Sequence, residues 1–174
     1  MANGRMANGS PGQRGRQPLY TAEERRRRDA SRWTLVQAIL APLQFAVFLV
    51  SLYLVLHTLA TGEGWFAATV SVVIKTLILY AIMITGSLWE KDVFGRYLFA
   101  PAFYWEDVVS MLVLALHTAY LAALVSGALD VRSQLWLALA AYAAYVVNAT
   151  QFLLKLRAAR RDAPAAAPAL RMAE

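Results

Sequence analysis

The chain has no cysteine among its 174 residues, which excludes disulfides, thiolate metal sites, covalent haem attachment and a cysteine nucleophile. Histidine is nearly as scarce: His57 and His117 are the only two, which argues against a structural zinc site. They lie at different depths, so they do not make the facing pair of a haem electron carrier. No GxxxxGK[ST], GxGxxG, HExxH or GxSxG motif occurs, so nucleotide hydrolysis, dinucleotide chemistry, zinc proteolysis and serine hydrolysis all lack their signatures. Charge is sparse as well, at 16% of residues against 59% hydrophobic, a balance outside that of an ordinary soluble domain.

The apolar residues are gathered into four blocks, predicted as helices at about 33–60, 65–88, 105–127 and 134–156. Each exceeds the roughly 20 residues a helix needs to cross a bilayer. The alternation of membrane β-strands is missing, so the fold class expected is all-α, a polytopic membrane protein with four transmembrane helices. Residues 1–32 hold eight arginines against three acids, and residues 155–174 hold five bases against two acids. Four crossings put both ends on one side, and the excess of positive charge makes that side cytoplasmic. The Arg25–Arg28 run next to a span reads as an anchor to anionic lipid rather than a nucleic-acid site. Residues 1–20 and 161–174 are expected to be disordered tails around a helical domain at 21–160. Thr21 and Glu24 have the spacing of a capping box for a surface helix.

Polar side chains inside spans are costly, so each one is a candidate for function. Gln37, Gln44 and Ser51 recur every seven residues and share a face, with Pro42 between them, and interhelical hydrogen bonding is the reading favoured for the two glutamines. Lys75 falls near the middle of the second span, where it must pair, snorkel or lose its proton. In the third, Glu106, Ser110, Val113, His117 and Tyr120 form one continuous stripe, whereas Asp107 points roughly 100° away, its position in the first helical turn favoured by the helix dipole. Asn148, Gln151 and Lys155 share a face of the fourth. The connection Trp89–Asp107 carries four acids, two bases and seven aromatic residues. Acids at the membrane boundary, a floor of rings and a buried imidazole suit a flat, oily substrate and acid–base chemistry without a cofactor.

The segments WTLVQAILAPLQF, TGEGW, VIKTLILYAIMITG, WEKDVFGRYLFAPAFYWEDVVSMLVLALHTAYLAAL and YVVNATQFLLKLRAAR closely resemble the 2-vinyl bacteriochlorophyllide hydratase family, from about Thr21 to Arg160. The resemblance implies a multi-pass enzyme of the bacterial cytoplasmic (photosynthetic) membrane. It would add water to the ring-A 3-vinyl group of chlorophyllide a or its reduced relatives, giving the 1-hydroxyethyl derivative, with no redox cofactor and no intrinsic metal. On that reading Glu106 is the expected proton donor, with Glu90 or Asp107 as alternatives. His117 orients water or ligates the magnesium of the substrate. Lys75 or Arg96 holds the propionate, and Phe94, Tyr97, Phe99, Phe103 and Tyr104 stack on the ring or cover it. Asn148 and Gln151 join the polar groups around a pocket open to the cytoplasmic half. A homodimer or a neighbouring pigment-biosynthesis enzyme is expected to complete the enclosure. The main rival is a non-catalytic pigment carrier that binds chlorophyllide through His117.

Overall fold

The computed structural model describes residues 19–171, with side chains through residue 160. Residues 1–18 and 172–174, where most of the tail disorder was expected, lie outside the described residues. The described chain is helical throughout: α1 (Ala22–Ala30), α2 (Arg32–Thr61), α3 (Trp65–Phe94), α4 (Tyr104–Ser126) and α5 (Val131–Arg171). Helices α2 to α5 are each long and apolar enough to cross a membrane, α5 over Val131–Arg160. Residues 161–171, predicted as tail, continue α5 as backbone helix.

Two hairpins make up the bundle. α2 packs along α3 and α4 along α5, and each pair joins through a short turn, while contact between the hairpins is much less extensive. The turn after α2 runs through Gly62 at φ 78° and Gly64 at φ 75°, left-handed positions that favour glycine over residues with a Cβ. The hairpin backbones stay apart at mid-depth because large side chains fill the gap: Phe48, Tyr120, Tyr142 and Tyr145 belong to one apolar core shared by all four spans.

Helix α3 extends past the apolar block. Hydropathy falls at Leu88, yet the helix continues through Trp89–Phe94 and ends on Gly95, whose N–H bonds the Lys91 carbonyl at 3.0 Å. A helix needs backbone hydrogen bonds rather than greasy side chains, and Glu, Lys and Trp all tolerate it. Glu90 therefore projects from a rigid helix instead of a loop. The connection to α4 is residues 95–103 alone, and within it Phe99 holds φ 58°, a strained conformation for a bulky residue.

Helix α1 forms with its capping box complete: the Thr21 N–H donates to Glu24 Oε2 (2.8 Å) and the Glu24 N–H to Thr21 Oγ1 (3.2 Å). It docks on the end of α3 through Tyr20, which stacks on Phe94 at 5.9 Å and lies under the Arg28 guanidinium at 5.0 Å. The Trp89 indole donates to Thr34 Oγ1 (3.0 Å), whose hydroxyl donates in turn to the Arg28 carbonyl (2.6 Å), so α1, α2 and α3 are tied at one point.

Candidate functional site

Polar groups collect at two levels of the bundle. The first is where α3 ends and α4 begins. Glu90, Glu106 and Asp107 are all buried there, at 5%, 7% and 3% exposure. Glu106 accepts from Lys155 Nζ at 2.6 Å, and the same ammonium donates to the Ala102 carbonyl and lies 4.9 Å from the Phe103 ring. Asn148 Nδ2 fastens α5 to this turn, donating to the Glu106 carbonyl (2.9 Å) and to Ser110 Oγ (2.8 Å). Glu106 is thus the anionic half of an ion pair.

Asp107 and Glu90 are arranged differently. Their carboxyl groups are neighbours, and two adjacent carboxyl groups share a site more readily with one proton between them than as two negative charges. Successive N–H groups of the strained connection reach them: Phe99 donates to Asp107 Oδ2 at 2.7 Å and Ala100 to Glu90 Oε2 at 3.2 Å. Asp107, an alternative donor read as lying about 100° from the Glu106 stripe, is buried together with Glu106. The helix start is flanked on two sides, by α5 against Glu106 and by the end of α3 against Asp107, so a 100° separation does not bring either acid to the surface.

The second level is mid-span. His117 Nδ1 donates to the Val113 carbonyl at 2.8 Å, which leaves Nε2 as the acceptor. Lys75 Nζ donates to that nitrogen at 3.1 Å, and both residues are fully buried. The ammonium also lies 4.2, 5.1 and 5.8 Å from the ring centres of Tyr145, Tyr142 and Phe48. Lys75 does not snorkel. The His117 nitrogen that would ligate a magnesium faces Lys75. Nearby, Ser51 Oγ bridges Ser71 Oγ (2.7 Å) and the Tyr142 hydroxyl (2.5 Å). Of the two glutamines read as interhelical, Gln37 bonds Thr85 Oγ1 at 2.7 Å, but the Gln44 amide, 1% exposed, has no hydrogen-bond partner among the described residues. The Gln151 carbonyl oxygen is likewise buried without one.

The aromatic residues of the connection divide into two groups. Phe94 and Phe103 pack inward with Trp89, Tyr20 and Phe152. Tyr97, Phe99, Tyr104 and Trp105 are exposed, and Phe99 and Trp105 each lie against Tyr104 (5.8 and 5.5 Å). Arg96 is exposed in the same connection. The two best-formed clefts, about 300 and 350 Å³, are lined by residues such as Val47 and Ile74 on one flank and Trp65 and Leu135 near the short turns, away from the acids. Among the described residues no group of three His, Cys, Asp or Glu side chains is placed to hold a metal ion.

Lys155 is the site residue whose partner went unread, although its level matched that of Glu106. Thr34, Ser71 and Tyr20, each outside the polar faces considered, gave no signal beyond their type.

The family model that matches residues 20–158 is described as 2-vinyl bacteriochlorophyllide hydratase. A protein of that name from Rhodobacter capsulatus is 66% identical over 154 residues, covering 88% of this chain and 90% of the relative. Another from Cereibacter sphaeroides is 67% identical over 148 residues, covering 85% and 92%. No solved structure matches the chain.

Proposed function

The chain belongs to the 2-vinyl bacteriochlorophyllide hydratase family, and from that premise we propose a mechanism in which the Glu90–Asp107 pair carries the chemistry. The chain is a hydratase of bacteriochlorophyll biosynthesis, adding water to the 3-vinyl group of a bacteriochlorophyllide. Water adds at the inner vinyl carbon once the terminal CH2 has taken a proton. The intervening cation is delocalised into the macrocycle, and the water loses a proton as its C–O bond forms. The net change is one H and one OH across the double bond.

One proton must be given and one received, and a carboxyl–carboxylate pair holding a single proton suits both steps. The observation that carries this reading is that two buried acids, Asp107 and Glu90, are held by successive backbone N–H groups of one connection, those of Phe99 and Ala100. Glu106, the donor expected from its alignment with His117, is engaged with Lys155, which supports a structural role in holding α5 against α4. The exposed Phe99–Tyr104–Trp105 flank, with Tyr97 beside it, is the surface that first meets the ring. Lys75 and Arg96 are the cations available to its propionate, and His117, paired with Lys75, acts by positioning rather than by ligating magnesium.

The excess of positive charge in residues 1–32 and 155–174 supports a cytoplasmic side for the 95–103 connection in a bacterial membrane. A second copy or a neighbouring pathway enzyme covers the exposed aromatic flank. The test is incubation of the protein in membranes with chlorophyllide a, followed by mass analysis. Wild type should add one water per pigment, and Glu90→Gln and Asp107→Asn should not. Full activity in both variants, or loss confined to Glu106→Gln, would return the donor role to Glu106. Pigment binding with no mass increment in wild type would favour the carrier.

A further inference from the structure

Lys75 holds its amine in the middle of a span with hydrogen-bonding capacity to spare. An ammonium has three N–H donors, and His117 Nε2 accepts one of them. No carboxylate pairs with Lys75 among the described residues; inside the spans the ion pair is Lys155–Glu106. The rings of Phe48, Tyr142 and Tyr145 and the lone pair of His117 all present electron-rich faces to Nζ, an arrangement suited to an ammonium rather than a neutral amine. A buried charge of this kind is expensive unless an opposite charge reaches it.

Gln44 adds an independent observation. It lies on the buried stripe of α2 one turn before Phe48, and its amide is buried with neither donor nor acceptor satisfied among the described residues. An amide N–H is a donor that a carboxylate can accept from. The level also matters. Asp107 and His117 are ten residues apart on α4, about 15 Å at 1.5 Å per residue. That spacing is comparable with the reach of a tetrapyrrole from a substituent on one pyrrole ring, across the macrocycle, to the end of a propionate on another.

We propose that Lys75, with Gln44, binds the free carboxylate of the pigment, so that the ring is held between this anchor and the Glu90–Asp107 pair. The proposal deepens the hydratase reading and rests on it. Entry requires the side chains that fill the gap between the two hairpins, Phe48, Tyr120, Tyr142 and Tyr145, to part where backbone contact is least extensive.

The experiment compares free-acid chlorophyllide with its methyl ester on wild type, Lys75→Met, Gln44→Leu and Arg96→Gln, each first checked for helicity and monodispersity in detergent. Wild type should favour the free acid by about tenfold to a hundredfold in kcat/KM, the worth of a charge-assisted hydrogen bond. In Lys75→Met the KM of the acid should rise to that of the ester and the preference vanish. Gln44→Leu should erode it in part, and Arg96→Gln should leave it intact. If Lys75→Met turns over neither pigment, or does not fold, the acid-to-ester ratio is read respectively from equilibrium binding to Lys75→Met or from Gln44→Leu alone. Equal use of acid and ester by wild type, an undiminished ratio in the Lys75 or Gln44 variant, or collapse of the ratio in Arg96→Gln would overturn the anchor. Loss of the Glu90–Asp107 assignment with the ratio preserved would leave it standing.

Discussion

Two buried polar centres sit on the same helix, and they are satisfied in opposite ways. At the start of α4 the carboxyl groups have partners within the protein: Glu106 has Lys155, and Asp107 and Glu90 have the backbone N–H groups of Phe99 and Ala100. At mid-span the charge is positive and under-satisfied, walled by rings and one imidazole. Burial is common to both, so burial does not distinguish chemistry from binding. What differs is whether the protein itself supplies the partners. A self-contained acid pair can move a proton without outside help, whereas an ammonium with spare donors calls for a ligand.

The comparison breaks most directly at the acid pair. Replacing Glu90 and Asp107 together by Gln and Asn keeps shape and removes the proton; turnover should fall about a hundredfold to ten-thousandfold, measured as hydroxyethyl pigment formed per minute. A variant that keeps wild-type turnover would dissolve the distinction between the centres. Glu106→Gln should sharpen it from the other side. Removing one partner of a partly buried ion pair leaves Lys155 uncompensated, so stability should drop by about 1–3 kcal/mol, seen as a lower melting temperature in detergent. Turnover should fall far less than with the acid pair. Adding Lys155→Met should recover part of the stability, whereas an additive loss would mean the two side chains do not act together.

A smaller effect is expected at Phe99. Glycine there accepts the left-handed backbone, for a net gain of less than about 1 kcal/mol after its own entropy cost. A loss of stability would show that the ring contributes more than the strain removes. The smallest effect concerns Tyr20. Burial pushes its phenol above the ordinary value of 10.0, and the Arg28 guanidinium partly offsets this. The docked state thus holds the proton more tightly than the released state. Docking is fully favourable below about pH 10, the usual tyrosine value, and weakens as pH rises through the docked value. Tryptic cleavage at Arg25–Arg28 should accelerate over that range, and Tyr20→Phe should abolish the pH dependence.

Much of this was legible in residue order. Hydropathy marks four spans because each must offer lipid about 20 apolar residues, and the Glu106–Ser110–Val113–His117–Tyr120 stripe is buried as its spacing requires. Less legible was anything fixed by a neighbour on another helix. Periodicity on α4 cannot say that both of its flanks are covered, so Asp107 read first as a dipole-favoured acid of the first turn and only second as a donor. Hydropathy cannot follow a helix into charged residues, so Glu90 read as part of a loop. The pairing of Lys75 with His117 joins residues 42 apart, and each alone signalled only that it was costly.

The order in which the chain is made gives the mid-span lysine one more consequence. The α2–α3 hairpin leaves the ribosome first, carrying Lys75 and Phe48 but neither His117 nor the tyrosines of α5. Helix α3 must therefore partition into lipid on its own apolar content, against a penalty of about 3 kcal/mol for a central lysine. The second hairpin then meets a bilayer that already contains an unpartnered amine, and capturing it with His117, Tyr142 and Tyr145 is a driving force for joining the two halves. Biogenesis and the proposed recognition thus draw on one residue: the amine proposed to receive the pigment is first the one that brings the hairpins together.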